Sequence, residues 1–162
     1  MVPRSTLLAA VAGALVLGAC GSTSKDGKVG DTLSADSLKA TVTRVAQKVP
    51  SKEGDITGLS TPGPGKRFIG VKVDVCNDSA QAIKPYDFEL EPEGGDSVHP
   101  RLPQKVFSDD FEGLRDGCER GWMIFEVPEE ARPKAVKFKY DDTGSASPGD
   151  TEKHVRFRWN VA

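Results

Sequence analysis

The clearest pattern in the chain lies between Phe68 and Cys76, where Ile69, Val71, Val73 and Val75 alternate with Gly70, Lys72 and Asp74. A period of two sends every second side chain to one face, so this segment predicts a half-buried β-strand. The rhythm recurs along the chain. Leu38 to Val49 begins with Leu38, Ala40 and Val42 in alternation and changes phase at Val45, which predicts a bulge or bend. Glu119 to Val127 sets Gly121, Met123, Phe125 and Val127 against Trp122, Ile124 and Glu126. Both of its faces are apolar near the middle, as expected of a central strand. Ala135 to Tyr140 and His154 to Val161 alternate in the same way, and shorter strands are predicted near Asp31 to Leu33, Tyr86 to Leu90 and Ser97 to His99. Pro50 to Gly65 and Pro100 to Gly117 read as long connections, the first of them rich in proline and glycine. No segment keeps a helical period over three turns, and no internal repeat is seen. Seven or eight short strands separated by turns predict an all-β fold, an antiparallel β-sandwich.

The N-terminus follows a different rule. Arg4 precedes Leu7 to Leu17, a run made only of Leu, Ala, Val and Gly, and Leu17-Gly18-Ala19-Cys20 closes it. A positive start, an apolar core and a small-residue ending make a signal peptide. The core is shorter than the roughly 20 residues that cross a bilayer. The Leu-Gly-Ala-Cys ending resembles the lipobox of bacterial lipoproteins, which implies cleavage before Cys20 and a lipid thioether on its sulfur. The domain boundaries that follow are 1–19 as signal peptide, 20–28 as a small, polar, flexible lipidated tether, and 29–162 as the folded domain. Losing Arg4, the sole charge in the leader, lowers the formal net charge from −2 to −3. A dedicated nucleic-acid binder shows a basic excess instead, so no nucleic-acid partner is expected.

Val29-Gly30-Asp31-Thr32, Gly65-Lys66-Arg67-Phe68 running into Val71 to Asn77, Asp87-Phe88-Glu89-Leu90, and Gly121 through Phe125-Glu126-Val127-Pro128 together resemble the bacterial domain of unknown function numbered four-three-five-two. The resemblance spans nearly all of the mature chain. It implies a telokin-type, immunoglobulin-like sandwich and carries no catalytic residues over to this sequence. Such domains are common in lipoproteins of Gram-positive bacteria. The cysteine pair and the Pro/Gly-rich connection depart from the family's general pattern.

With Cys20 acylated, Cys76 and Cys118 remain, and an even pair in an exported protein reads first as a disulfide. Cys76 closes one strand and Cys118 opens another, so in an immunoglobulin-like layout both lie at one end of neighbouring antiparallel strands. A bridge there is feasible if the α-carbons lie within about 7 Å, and it would stabilise by roughly 3–4 kcal/mol. A reactive thiol or a metal pair is the alternative.

Three further groups invite a functional reading. Glu53, Asp55, Ile56 and Leu59 lie in the long 50–65 connection, placed where antibody variable domains carry a recognition loop. Lys137, Lys139, Arg156 and Arg158, with Lys72 as a possible fifth member, would form a basic strip on one sheet face. That strip is either an ordinary solvated face or a contact for anionic lipid or envelope polymer. Asp109, Asp110, Glu112 and Asp116 offer hard oxygen ligands suited to calcium, but without the carboxylate spacing of an EF-hand. No catalytic or cofactor motif is visible: His99 and His154 are isolated, and GxSxG, HExxH and phosphate-binding glycine loops are missing. The expected function is therefore a non-catalytic binding module, lipid-anchored through Cys20 at the outer face of the cell membrane. Its partner would be an envelope or secreted protein or an anionic envelope polymer, and no cofactor is called for. The alternatives are a metal-assisted hydrolase on the carboxylate-rich end and a structural or sensory envelope accessory.

Overall fold

A computed structural model describes residues 22–47, 62–79, 81–101, 110–142 and 153–161. Among the described residues eight strands form: β1 (Ser22–Lys28), β2 (Thr32–Ala35), β3 (Leu38–Ala46), β4 (Lys66–Asn77), β5 (Phe88–Pro92), β6 (Gly117–Pro128), β7 (Pro133–Asp142) and β8 (Lys153–Asn160). They pair as two four-stranded sheets, β1-β8-β7-β5 and β2-β3-β4-β6. The alternating apolar residues account for this arrangement. Val42, Ile69, Val71, Val73, Val75, Phe125 and Val127 line the inner face of one sheet, and Phe88, Leu90, Val136, Phe138, Phe157 and Trp159 that of the other, all buried. Phe138 opposes Phe88 on one side and Phe157 on the other, with ring centroids 4.8 and 5.8 Å apart. Trp159 closes this aromatic row and donates its indole N–H to the Asp31 carbonyl at 2.9 Å, which satisfies the polar edge of a buried ring.

The phase change at Val45 is a bulge, since the β3–β4 register shifts between Val42 and Arg44. Cys76 and Cys118 are register partners on β4 and β6. They form a disulfide with α-carbons 4.0 Å apart, within one sheet as the strand order predicts.

Three expectations need correction. Residues 22–28 are a strand, not a flexible tether: β1 pairs in parallel with β8 from Ser22–His154 to Lys28–Asn160. Its composition is polar because it is an exposed edge, held by main-chain bonds that side-chain patterning does not report. The sandwich is consequently not wholly antiparallel. Second, β6 lies at a sheet edge rather than in the middle. Its outward apolar residues Trp122 and Ile124 are nevertheless buried, and the preceding connection runs beside them: Arg101 N–H donates to the Ile124 carbonyl and Phe111 N–H to that of Trp122. Third, Ser97 to His99 makes only a single bridge, Leu90 to Val98.

Candidate functional site

Two ends and two outer faces of the sandwich position the residues singled out above. At the end where β4 begins and β6 finishes, Arg67 and Glu126 form a platform. Arg67 falls on the inward phase of β4, beyond Ile69, and its guanidinium reaches across the mouth of the core. Nη1 donates to the Gln47 carbonyl at 2.9 Å and Nη2 to the Ala131 carbonyl at 2.7 Å. Glu126 points outward from β6; its Oε1 accepts from the Gly63 amide at 2.8 Å, and its Oε2 pairs with Arg101 at 2.8 Å. Gln47 and Gly63 flank the long connection on either side, so side chains from β4 and β6 tie down both of its roots. Sequence reasoning missed Arg67 and Glu126, because nothing local links a β4 arginine to a turn 64 residues away. Glu53, Asp55, Ile56 and Leu59 lie outside the described residues, as do Cys20 and Asp109.

The basic strip exists as a geometric row, but it is paired with carboxylates. Lys137 opposes Arg158, and Lys139 opposes Arg156, across β7 and β8. The neighbouring β5 adds two carboxylates to the same face. Glu91 meets Lys134 at 2.9 Å, Lys137 at 2.6 Å and Arg158 at 2.5 Å, and Glu89 meets Lys139 at 2.7 Å. Arg156 pairs with Asp141 at 2.6 Å, and Asp141 also contacts His154 at 2.7 Å. Phe88 and Leu90 already signalled that Glu89 and Glu91 face outward, but the β5–β7 adjacency that uses them is a long-range fact. Lys72 does not join the strip. It lies on the other sheet, with its ammonium 5.4 Å from the centre of the Trp122 ring, while Arg44 contacts the same ring at 5.9 Å.

Glu91 is the electrostatic centre of that face. Hydrogen bonds from Arg158, Lys137 and Lys134 hold its carboxyl far below the usual carboxylate range, and its side chain is only 14% exposed. A carboxyl whose folded pKa lies below its unfolded value of about 4.3 stabilises the fold fully above that value. The contribution fades as pH falls toward the folded value, because the unfolded chain then binds more protons. Glu91→Gln is therefore expected to lower stability by about 1–2 kcal/mol at pH 7. It should also flatten the loss of thermal stability between about pH 4.5 and pH 2.5, read by melting curves across that range. An unchanged pH slope would show that the three cations do not act through Glu91.

The described calcium candidates, Asp110, Glu112 and Asp116, are spread through the connection that precedes β6. Asp110 bridges to Trp122, whereas Asp116 accepts from the Gly117 amide at the start of β6. Five residues of strand separate those levels, about 17 Å. The Glu112 main-chain N–H donates to the Glu119 carboxylate at 2.9 Å. Among the described residues, no three His, Cys, Asp or Glu side chains are grouped to hold a metal ion, and no helix is long and apolar enough to cross a membrane.

Several solved structures share this architecture. A candidate lipoprotein, YcdA, from Bacillus subtilis aligns at 19% identity and TM-score 0.51, covering 83% of this chain and 39% of its own. This chain therefore spans about two-fifths of that protein. MPT63, a secreted protein from Mycobacterium tuberculosis, aligns at 16% identity and TM-score 0.52, covering 85% and 98%. YjhA from Bacillus subtilis gives 19%, 0.51, and 81% and 99%. At these identities the likeness is one of fold. No curated protein matched the sequence. The domain of unknown function DUF4352 matches over residues 27–149, and the chain belongs to that family.

Proposed function

We propose that the protein is a lipoprotein, anchored through Cys20 at the outer face of the cell membrane, whose β-sandwich binds a partner and performs no chemistry. The observation that carries this reading is the platform at the mouth of the core. Arg67 and Glu126 hold Gln47 and Gly63, so the connection bearing Glu53, Asp55, Ile56 and Leu59 departs from and returns to a fixed base. Fixing the roots of a binding segment reduces the ordering cost of association. Ile56 and Leu59 give that segment apolar side chains whose burial against a protein partner would favour association. Leader and lipobox supply the address, and a fold shared with a candidate lipoprotein and a secreted protein supports it.

The favoured partner is another envelope or secreted protein. An anionic envelope polymer is less well served, because Lys137, Lys139, Arg156 and Arg158 each face a carboxylate. The lipid adds local concentration: two or more acyl chains anchor stably at about 0.8 kcal/mol per buried methylene.

Cross-linking in intact cells followed by mass spectrometry tests the reading. The double substitution Ile56→Asp, Leu59→Asp is expected to cut capture of the specific partner at least tenfold while moving the melting temperature by no more than about 2 °C. Capture that survives this change would overturn loop-based recognition. A metal-dependent hydrolysis abolished by Asp110→Ala or Asp116→Ala would establish the enzyme alternative instead.

A further inference from the structure

We infer that the sandwich stands on the bilayer with its Cys76–Cys118 end down and the Arg67–Glu126 platform outermost, so that the surface around Asp78, Gln81, Asp141 and His154 faces the lipid headgroups. This rests on the reading of Cys20 as the acylated residue. Only Gly21 separates Cys20 from Ser22, which limits the gap between the lipid-bearing residue and the first strand to about 7 Å. Ser22 is already in register with His154. The domain thus begins almost at its anchor, without the spacer that would let it tumble.

A continuous set of contacts connects that starting point to the disulfide. His154 opposes Asp141, the Gln81 side chain donates to the Asp141 carbonyl at 3.0 Å, and Asn77 donates to the Gln81 carbonyl at 2.8 Å. Asn77 adjoins Cys76, and Tyr140 reinforces the junction through its 2.7 Å hydrogen bond to Ser79. The β7–β8 register ends at Asp142–Lys153 on this same end. The other end of β1 leads away: Lys28 opposes Asn160, which opposes Ala135. Arg67 then ties Ala131 to Gln47 at the platform. The twelve residues of β4 separate the two ends by about 40 Å.

Among the described residues, charge does not supply the attraction, because Asp36, Asp78, Asp116 and Asp141 on the lower end offset Lys39, Arg115 and Arg156. The orientation is therefore set by the covalent anchor and the short link, and it should persist at high salt, where headgroup attraction would be screened.

The test uses the full-length lipidated protein reconstituted into vesicles of phosphatidylcholine and phosphatidylglycerol. An azide-bearing phenylalanine analogue is placed at Asp78 or at Glu129, both exposed, and dye-labelled after folding. Energy transfer to acceptor lipids in the outer leaflet is then measured. Transfer from position 78 is expected to exceed that from position 129 at least threefold, in low and high salt alike. A 20-residue Gly/Ser insertion between Gly21 and Ser22 should erase the difference. Protein that floats with the vesicles yet gives equal transfer, or greater transfer from position 129, overturns the orientation while leaving the anchor intact. Protein that does not float overturns both.

Discussion

Gly121→Ala is expected to destabilise the domain by about 3 kcal/mol and to lower its melting temperature by roughly 10 °C. A β-carbon at this position would lie 2.3 Å from the Phe111 nitrogen and 2.6 Å from its α-carbon, well inside any permitted contact. The obstacle is main chain, so no rotamer change relieves it. It is also main chain in use: the Phe111 N–H donates to the Trp122 carbonyl at 2.9 Å, and the Phe111 ring enters the core against Phe88 at 5.8 Å. Accommodating the methyl group means pulling Phe111 off β6 and loosening both contacts. Gly70→Ala is the informative comparison. Its β-carbon would meet the Trp122 ring at 3.2 Å, and a side chain can give by a few tenths of an ångström. It should cost less than half as much. Equal losses for the two variants, measured by chemical denaturation, would contradict this account of Gly121.

Removing the disulfide is the other large effect. Cys76 and Cys118 are separated by 42 positions, and closing a loop of that length constrains the unfolded chain by about 4 kcal/mol in the chain-entropy treatment. The pair sits on the outer face of its sheet, with Cys118 exposed and Cys76 half-buried. Cys76→Ala with Cys118→Ala therefore leaves no hole in the core, and the loss reports the constraint alone. The double variant should melt about 12 °C below the oxidised wild type. Reduced wild type should fall to the same temperature. A reduced protein melting within about 2 °C of the oxidised one would show that β4–β6 pairing holds that end without help.

What could be read in advance divides along a physical line. Ile69, Val71, Val73 and Val75 announce their strand because burial of one face imposes a local period, and the bulge near Val45 shows as a break in that period. The disulfide was legible because alternation fixes where Cys76 ends one strand and Cys118 starts another. β1 was not, since Ser-Thr-Ser-Lys-Asp-Gly-Lys carries no apolar face and its order comes from main-chain bonds to β8. Nor was the neutralisation of the basic strip, because Glu91 lies 67 residues from Arg158 and meets it only through β5–β7–β8 adjacency. Arg67 and Glu126 stayed hidden for the same reason. In each of these cases a partner lies more than 60 residues away, beyond the reach of local patterning.

The proposed role begins with attachment, and one mass decides it. Protein isolated from the producing cell's membrane fraction should yield an N-terminal peptide starting at Cys20, with a diacylglyceryl group on the sulfur and residues 1–19 gone. A peptide that still joins Ala19 to an unmodified Cys20 would contradict the account at its root.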